Sequence, residues 1–301
     1  MSRVRVGQFA GKHIAYLPFF VAREERLFDE VGLEVEHYPA GNDDEVYRDV
    51  ANNSADFGIG DPTFVARQKP STDSPRLVAA LVNQACIWGY THHPELPELK
   101  VPADFVTLRL ACFPKPSTTF ELLHSFKAKH SRLLKSMQLV ETEIGYQADL
   151  LASDEADVVL DIEPMISYAE SKGYRIILSV ANFYKHLLFT GIVASSKILS
   201  SDPNVVENFV LAIQRGLRRC REDRSAALRA ATALYPGLSE SVLRNAIDRM
   251  LASHAWPEQA LIEPESWKAA LKLRQDGGQI HSLVDPFGYL DQRFASKALG
   301  G

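Results

Sequence analysis

Hydrophobic and polar positions repeat at two different periods in the first 62 residues of the chain, which indicates strands and helices in alternation. The short run at 4–8 and the two-residue alternation at 33–38 predict strands, whereas the spacing at 16–27 predicts a helix. Another strand ends at residues 60–63, Gly-Asp-Pro-Thr. Strands that alternate with helices form parallel sheets, which bind ligands beyond the carboxyl ends of their strands. The loops at 8–13 and 60–63 are therefore candidate ligand loops.

The alternation of predicted strands and helices continues along the chain, which ends in a helical tail. One long buried strand is predicted at 76–88, and a helix is predicted to begin at Glu163-Pro164, with the proline early in the helix. Further strands are predicted at 108–113, 138–142, 156–161, 174–180 and 190–194. Helices are predicted at 204–221, 225–235, 239–253 and 265–275. We expect two strand–helix halves followed by helices.

Composition restricts the class of protein. The 301 residues are 46% hydrophobic and 24% charged, as in a soluble globular protein large enough for one large domain or two lobes. The net charge of −5 argues against nucleic-acid binding, and the chain lacks the run of about 20 apolar residues that membrane insertion requires. Cys86, Cys112 and Cys220 are widely spaced, which predicts buried free thiols rather than a disulfide framework or a zinc site.

The amino terminus bears on location. Residues 1–3 lead directly into the first predicted strand, without the apolar segment and cleavage site of a signal peptide. This pattern predicts a cytoplasmic protein for the chain as written. It predicts a periplasmic protein if a leader has been removed.

Two strand-to-helix turns offer hydrogen-bonding groups to a ligand. At Gly60-Asp61-Pro62-Thr63, either a helix N-terminus faces a ligand beside Asp61, or Asp61 simply caps the helix that begins at Pro62. Ser117, Thr118 and Thr119 follow a strand and could hold an anion or a carbonyl, or could cap the next helix. Both alternatives remain open at each turn.

A third turn carries two acids. Asp161 and Glu163 could face a cleft and accept hydrogen bonds from amines, but nothing in the sequence separates their pKa values for acid–base catalysis. Metal binding is not indicated, because no His or Cys stands at ligand spacing from them. His13 and His186 lie near strand ends and are the better histidine candidates. No Gly-x-Ser-x-Gly, Walker or His-Glu-x-x-His motif is present, so no catalytic signature accompanies these turns.

Several blocks resemble one family of binding proteins. Residues 13–28, 31–35 and 55–62 resemble the solute-binding proteins of nitrate, taurine and sulfonate ABC importers, which are grouped with thiamine-pyrimidine proteins as NMT1/THI5-like. The resemblance continues through 116–119, 156–164 and 196–209. It implies a type II periplasmic-binding-protein fold, in which two α/β lobes with two crossover strands enclose a ligand cleft.

The resemblance also implies where the lobes divide. Residues 76–86 and about 187–192 would be the crossover strands. Lobe I would contain 1–85 and 192–301, including the helical tail, and lobe II would contain 86–191. Such lobes close around a ligand by hinge motion.

Departures from the family exclude one activity. The eukaryotic pyrimidine synthases of this family use pyridoxal phosphate, an active-site histidine and a cysteine cluster. Gly60 and Phe64 stand where the cofactor lysine and the histidine would align, and residues 186–190 lack the cysteines. We therefore expect no cofactor and no pyrimidine-synthase activity.

The leading hypothesis is a solute-binding protein that closes on a small, flat ligand. The loop aromatics would stack on a ring, and Asp61, Asp161 and Glu163 would suit the amines of an aminopyrimidine thiamine precursor. A sulfonate or nitrate would instead favour Lys12, His13 and Lys115. The expected partners are the ligand and an ABC permease, and the protein is expected to be a monomer or weak dimer. The alternatives are a cytosolic enzyme or a ligand sensor on the same scaffold.

The predicted ligand-binding residues come from the three turns, the first loop and the aromatic positions. They are Gln8, Phe9, Lys12, His13, Tyr16, Gly60, Asp61, Pro62, Thr63, Trp88, Ser117, Thr118, Thr119, Asp161, Glu163, Tyr184 and His186.

Overall fold

The computed structural model describes residues 1–115, 117–143, 145–280 and 285–300. Pro116, in one of the matching blocks, lies outside them. The strands are β1 (Ser2–Phe9), β2 (Leu33–Gly41), β3 (Phe57–Gly60), β4 (Arg76–Val82), β5 (Trp88–Thr91), β6 (Arg109–Cys112), β7 (Gln138–Glu141), β8 (Val158–Asp161), β9 (Arg175–Ser179) and β10 (Thr190–Ala194). They form two five-stranded sheets, ordered β2-β1-β3-β10-β4 and β7-β6-β8-β5-β9.

Helices cover the sheets and form the carboxyl-terminal third of the chain. They are α1 (Leu17–Glu24), α2 (Leu27–Glu30), α3 (Asp43–Ala51), α4 (Thr118–Lys129), α5 (Gln147–Ala152), α6 (Met165–Ser171), α7 (Ser196–Ser201), α8 (Pro203–Glu222), α9 (Arg224–Leu234), α10 (Glu240–Ala252), α11 (Pro264–Asp276) and α12 (Arg293–Ala298). Short 3₁₀ helices include Ile14–Tyr16 and Pro62–Arg67. No helix in the described ranges is long and apolar enough to cross a membrane.

The two sheets share one pairing pattern. In the first, β1 pairs in parallel with β2 and β3, while β10 runs antiparallel to β3 and β4. In the second, β6 pairs in parallel with β7 and β8, while β5 runs antiparallel to β8 and β9. The α/β class with two sheets is confirmed. In each sheet three neighbouring strands are parallel. The next strand in the order, β10 in the first sheet and β5 in the second, is antiparallel to them, and it is the strand by which the chain enters that sheet from the other one.

The predicted single strand at 76–88 is wrong. β4 ends at Val82, and Trp88 begins β5 in the second sheet. Between them the backbone leaves the ladder, since the N–H of Asn83 donates to Ala255 O (2.9 Å) and the N–H of Ile87 donates to Ala85 O (2.8 Å). The chain returns to the first sheet between β9 and β10. The exact lobe boundaries stay a prediction.

Helix ends follow local signals. The helix predicted at 16–27 is divided into a 3₁₀ turn, α1 and α2, because Arg26 takes a left-handed backbone conformation (φ 58°) before α2. The Glu163–Pro164 peptide is cis, and α6 begins after Pro164 rather than including it. The four predicted tail helices are confirmed as α8 to α11, with Asp202, Asp223 and Ser239 capping the first three. The short α12 was not predicted.

Helix α8 packs the tail onto the first sheet. Phe209 stacks on Phe57 of β3 with ring centroids 3.9 Å apart. Gly216 lets α8 approach α1 closely, since a Cβ at this position would lie 2.2 Å from the carbonyl oxygen of Pro18. The tail also reaches the other sheet: α11 packs on α4, the helix that follows β6. The helical tail therefore contacts elements of both sheets.

We expect Gly216→Ala to destabilise the protein, because the contact atom is backbone and cannot rotate away. Overpacking of this kind costs about 1–3 kcal/mol, which opposes the gain of about 1 kcal/mol from the better helix propensity of alanine. Chemical denaturation should show a lower unfolding midpoint. Gly237→Ala is the matched control, since a Cβ at that position would have open space around it out to 4 Å. Equal midpoints for the two variants would contradict this packing.

Candidate functional site

Two adjoining cavities lie where the loops of the two sheets meet. The inner cavity, of about 60 Å³, is lined by the β1 loop, the end of β3 and the start of α4. The outer cavity, of about 930 Å³, extends from the β1 loop past β8 to α5 and α6. His13, Phe113 and Ile162 line both cavities, so the two adjoin. We take them together as the candidate ligand site.

Ten of the predicted ligand residues line this site. The inner cavity is bordered by Phe9, His13, Tyr16, Asp61, Ser117, Thr118 and Thr119. The outer cavity is bordered by Lys12, His13, Asp161 and Glu163. The three turns and the first loop, which are far apart in sequence, therefore converge.

The other predicted residues lie elsewhere. Gln8, Gly60, Pro62, Thr63 and Trp88 are buried without lining either cavity. Tyr184 borders a separate cavity of about 610 Å³ and donates its hydroxyl to Leu122 O at 2.7 Å. His186 is exposed and lines neither cavity of the site.

Asp61 is the most heavily hydrogen-bonded of the predicted residues. Its carboxylate accepts from Thr63 N at 2.9 Å, which confirms the capping interpretation, and from the Thr118 hydroxyl at 2.7 Å. Nη2 of Arg274 also donates to Asp61 and, at 2.9 Å, to Thr118 Oγ1. Burial opposes ionisation of Asp61, but the charge and hydrogen bond of Arg274 outweigh it and lower the pKa of this carboxyl.

We call Asp61, Thr118 and Arg274 the Asp61 cluster. It joins the end of β3, the start of α4 and the last turn of α11, so it ties the first sheet to the second through the tail. The side chains of Asp61 and Arg274 are 5% and 2% exposed. Sequence reasoning missed Arg274, although its spacing from Trp267 and Leu271 places a charge on the buried face of α11.

Gly60 lies against a second carboxylate, that of Asp43, which sequence reasoning also missed. The backbone N–H of Asp61 donates to Asp43 Oδ1 at 2.9 Å, and a Cβ on Gly60 would lie 2.4 Å from that oxygen. Glycine therefore lets the start of α3 approach the end of β3. Burial, reinforced by the charge of Asp61, raises the pKa of Asp43 to about 7. Asp43 borders the inner cavity.

Asp161 and Glu163 have different environments despite their proximity in sequence. Glu163 accepts from the Ser167 hydroxyl (2.8 Å) and from Nε of Arg249 (2.7 Å), so its carboxylate is fully engaged. Asp161 accepts from Ile162 N at 2.8 Å. No side chain in the described ranges donates to it, and burial raises its pKa to about 7. Asp161 is thus the acid of this pair that is available to a ligand.

Gln147 is a further cavity residue that the sequence did not reveal. It is 1% exposed, and its Oε1 accepts from Gly145 N at 2.8 Å. This contact leaves the amide nitrogen Nε2 buried without a partner among the described residues. An unsatisfied buried donor costs about 1–3 kcal/mol, which an acceptor on a ligand would recover.

Aromatic rings form the walls of the outer cavity, but none of the predicted aromatic residues Phe9, Tyr16, Trp88 and Tyr184 is among them. Tyr90 and Tyr174 meet edge to face with centroids 5.4 Å apart, and Tyr168 and Phe113 also line the cavity. His13 stacks against Phe9 at 5.2 Å. Burial lowers the pKa of His13 to about 4, so this ring is neutral at physiological pH. The site is therefore aromatic with a neutral imidazole.

The native thiols and the one group of described residues with metal-binding spacing lie outside the candidate site. Cys86, Cys112 and Cys220 are buried and line neither cavity. Elsewhere, within the described ranges, His93, Asp154 and Asp157 come within metal-binding distance of one another, but Arg109 donates to both carboxylates. That group is an ion-pair cluster outside the site.

Comparison with solved structures defines the fold class. The periplasmic aliphatic sulphonate binding protein SsuA from Escherichia coli superposes with a TM-score of 0.73 at 15% identity, over 97% of this chain and 92% of that chain. The desulfurization enzyme DszB superposes with a TM-score of 0.70 at 12% identity, over 100% and 99%. The architecture is therefore that of periplasmic binding proteins.

The family follows from the sequence match. The chain belongs to the NMT1/THI5-like family, whose model matches residues 13–227 of the 301. A Bacillus subtilis protein named "Putative binding protein YtlA" is 21% identical over 315 aligned residues, covering 99% of this chain and 90% of that protein. The family resemblance inferred from the sequence is confirmed.

We expect Arg274→Met to destabilise the protein by about 3–5 kcal/mol at neutral pH, because it leaves the Asp61 charge buried and unpaired. In the native protein the lowered pKa of Asp61 stabilises the fold above the unfolded value of about 3.9 and ceases to do so as the pH falls through the folded value. The deficit of the variant should therefore shrink in acid. Urea denaturation across the pH range measures it.

Arg293→Met is the control for that experiment. Arg293 donates to Asp291 at 2.6 Å, but its side chain is 77% exposed. Loss of an exposed pair costs at most about 1 kcal/mol. A similar loss in both variants, or a deficit in Arg274→Met that does not depend on pH, would contradict the role given to the Asp61 cluster.

Proposed function

We propose that this protein is a solute-binding protein that closes its two lobes on a small molecule and delivers it to an ABC permease for import. The observation that carries the proposal is the outer cavity. Its volume of about 930 Å³ lies in the range of small-molecule sites, and its walls are aromatic with a few convergent polar groups. Its lining comes from elements attached to both sheets. The names of the Escherichia coli and Bacillus subtilis relatives support a binding role.

The favoured ligand is a flat nitrogen heterocycle that carries amino groups, of the aminopyrimidine thiamine-precursor type. Tyr90 and Tyr174 offer ring contacts, and Asp161 can accept from an exocyclic amine. The unpartnered Nε2 of Gln147 can donate to a ring nitrogen. A sulfonate or nitrate is the alternative, which the likeness to SsuA and the hydroxyls of Ser117 to Thr119 support.

An enzyme on the same scaffold is the second candidate, since the fold is shared with the desulfurization enzyme DszB. The cavities supply no nucleophilic thiol, because the three cysteines lie outside them. Burial also raises the pKa of the Cys86 thiol to about 12. A binding role therefore fits the site better than covalent catalysis does.

A thermal-shift panel of aminopyrimidines, alkanesulfonates, nitrate and aromatic acids tests the function. A compound at 100 times its dissociation constant adds about 2.7 kcal/mol of stability, so a ligand should raise the unfolding temperature clearly. The compound should be recovered unchanged after prolonged incubation. Time-dependent conversion of the compound, or a panel in which nothing stabilises the protein, would contradict solute binding.

A further inference from the structure

We propose that the site selects a ligand that presents a positively charged nitrogen group to Asp161, such as an amidinium or the ring-protonated form of an aminopyrimidine, rather than a neutral or anionic one. This inference rests on the proposed function and specifies the ligand class. It comes from the charged groups that border the two cavities, each considered with its partner.

The acids of the site divide into paired and unpaired groups. Asp61 is paired with Arg274, and Glu163 is paired with Arg249. Asp161, 7% exposed, has only a backbone N–H as partner in the described ranges. Within the same ranges, Asp43 accepts only from the N–H of Asp61. The deep part of the site therefore retains two carboxyl groups that no cation of the described residues neutralises by direct contact.

The bases of the site cannot supply the missing charge. Arg274 and Arg249 are engaged as just described, and buried His13 is neutral at physiological pH. Lys12, His92 and Lys172 are exposed, so they lie at the solvent edge of the outer cavity. A buried anion next to Asp161 would meet uncompensated negative charge, whereas a cation would form the ion pair that the carboxylate lacks.

The Asp61 cluster further opposes an anionic ligand. Thr118 and Arg274 are donors suited to a sulfonate or nitrate, yet both already donate to the Asp61 carboxylate. An anion would have to displace that carboxylate within the inner cavity. The Asp61 carboxylate thus already occupies the hydrogen-bond donors that an anionic ligand would need.

Charge selection makes binding depend on pH. In the described part of the chain, Asp161 interacts electrostatically with the ionisable groups of Glu163, Tyr90 and Tyr235, none of which is cationic. Burial raises the pKa of Asp161 to about 7 in the ligand-free protein. A cation binds the ionised carboxylate, so its affinity should rise with pH through neutrality and then level off, with release of a proton on binding.

Three probes share a phenyl ring and differ in the charge of its polar substituent: benzamidine (cation), benzamide (neutral) and benzenesulfonate (anion). Binding is measured by isothermal titration calorimetry between about pH 6 and about pH 8, where benzamidine stays protonated. We expect benzamidine to bind at least about tenfold more tightly than benzamide, and benzenesulfonate to bind more weakly than either. The affinity for benzamidine should rise with pH.

Two variants with the same change of charge assign the effect to its residue. Asp161→Asn keeps an acceptor for Ile162 N, so the protein should fold, and we expect it to lose both the preference for benzamidine and its pH dependence. Asp149→Asn, at an exposed position on α5, should retain both. Circular dichroism and the unfolding temperature of each variant verify folding independently of binding.

Three outcomes would overturn the proposal. These are tighter binding of benzenesulfonate than of benzamidine, absence of benzamidine binding at millimolar concentration, and a preference for benzamidine that survives in Asp161→Asn. The first would still agree with solute binding and would support the sulfonate alternative. The proposed function fails separately, if no compound of the wider panel stabilises the protein.

Discussion

The buried ion pair between Asp61 and Arg274 is the interaction on which the arrangement of the site depends. It fixes the end of β3, which belongs to the first sheet, against α11, and Thr118 adds α4 from the side of the second sheet. A buried pair contributes little net stability compared with apolar packing, but it strongly penalises any geometry that separates its partners. The pair therefore fixes α11 against the end of β3, where Thr118 meets it from the second sheet.

A second contact fixes the opposite side of the site. Arg249 on α10 donates at 2.7 Å to Glu163, beside β8, and at 2.7 Å to Glu170 on α6. The backbone N–H of Ile14 also donates to Glu163 O at 3.3 Å. The helical tail thus contributes one arginine on each side of the cleft. Between these contacts, Asp161 and the aromatic walls remain available to a ligand.

The sequence predicted the elements and the convergence of the ligand loops well, because periodicity and turn residues are local properties. Asp61, Ser117 and Asp161 were placed at strand ends, and strand ends of a sheet meet at one edge. The partners of these residues were not predictable in this way. Arg274 is 213 residues from Asp61, and Arg249 is 86 residues from Glu163. Whether each carboxylate is paired with an arginine or available to a ligand depends on tertiary contacts, which local sequence patterns do not encode.

The central claim is that the two lobes close around a small ligand, and an inter-lobe distance tests it most directly. Spin labels at Glu34→Cys on β2 and Gln138→Cys on β7 occupy exposed edge strands of the two sheets, while the native thiols are buried. Pulsed electron–electron double resonance should show a broad distribution of label distances without ligand and a narrow, shorter one with a stabilising compound. An identical distribution in both conditions would contradict the account.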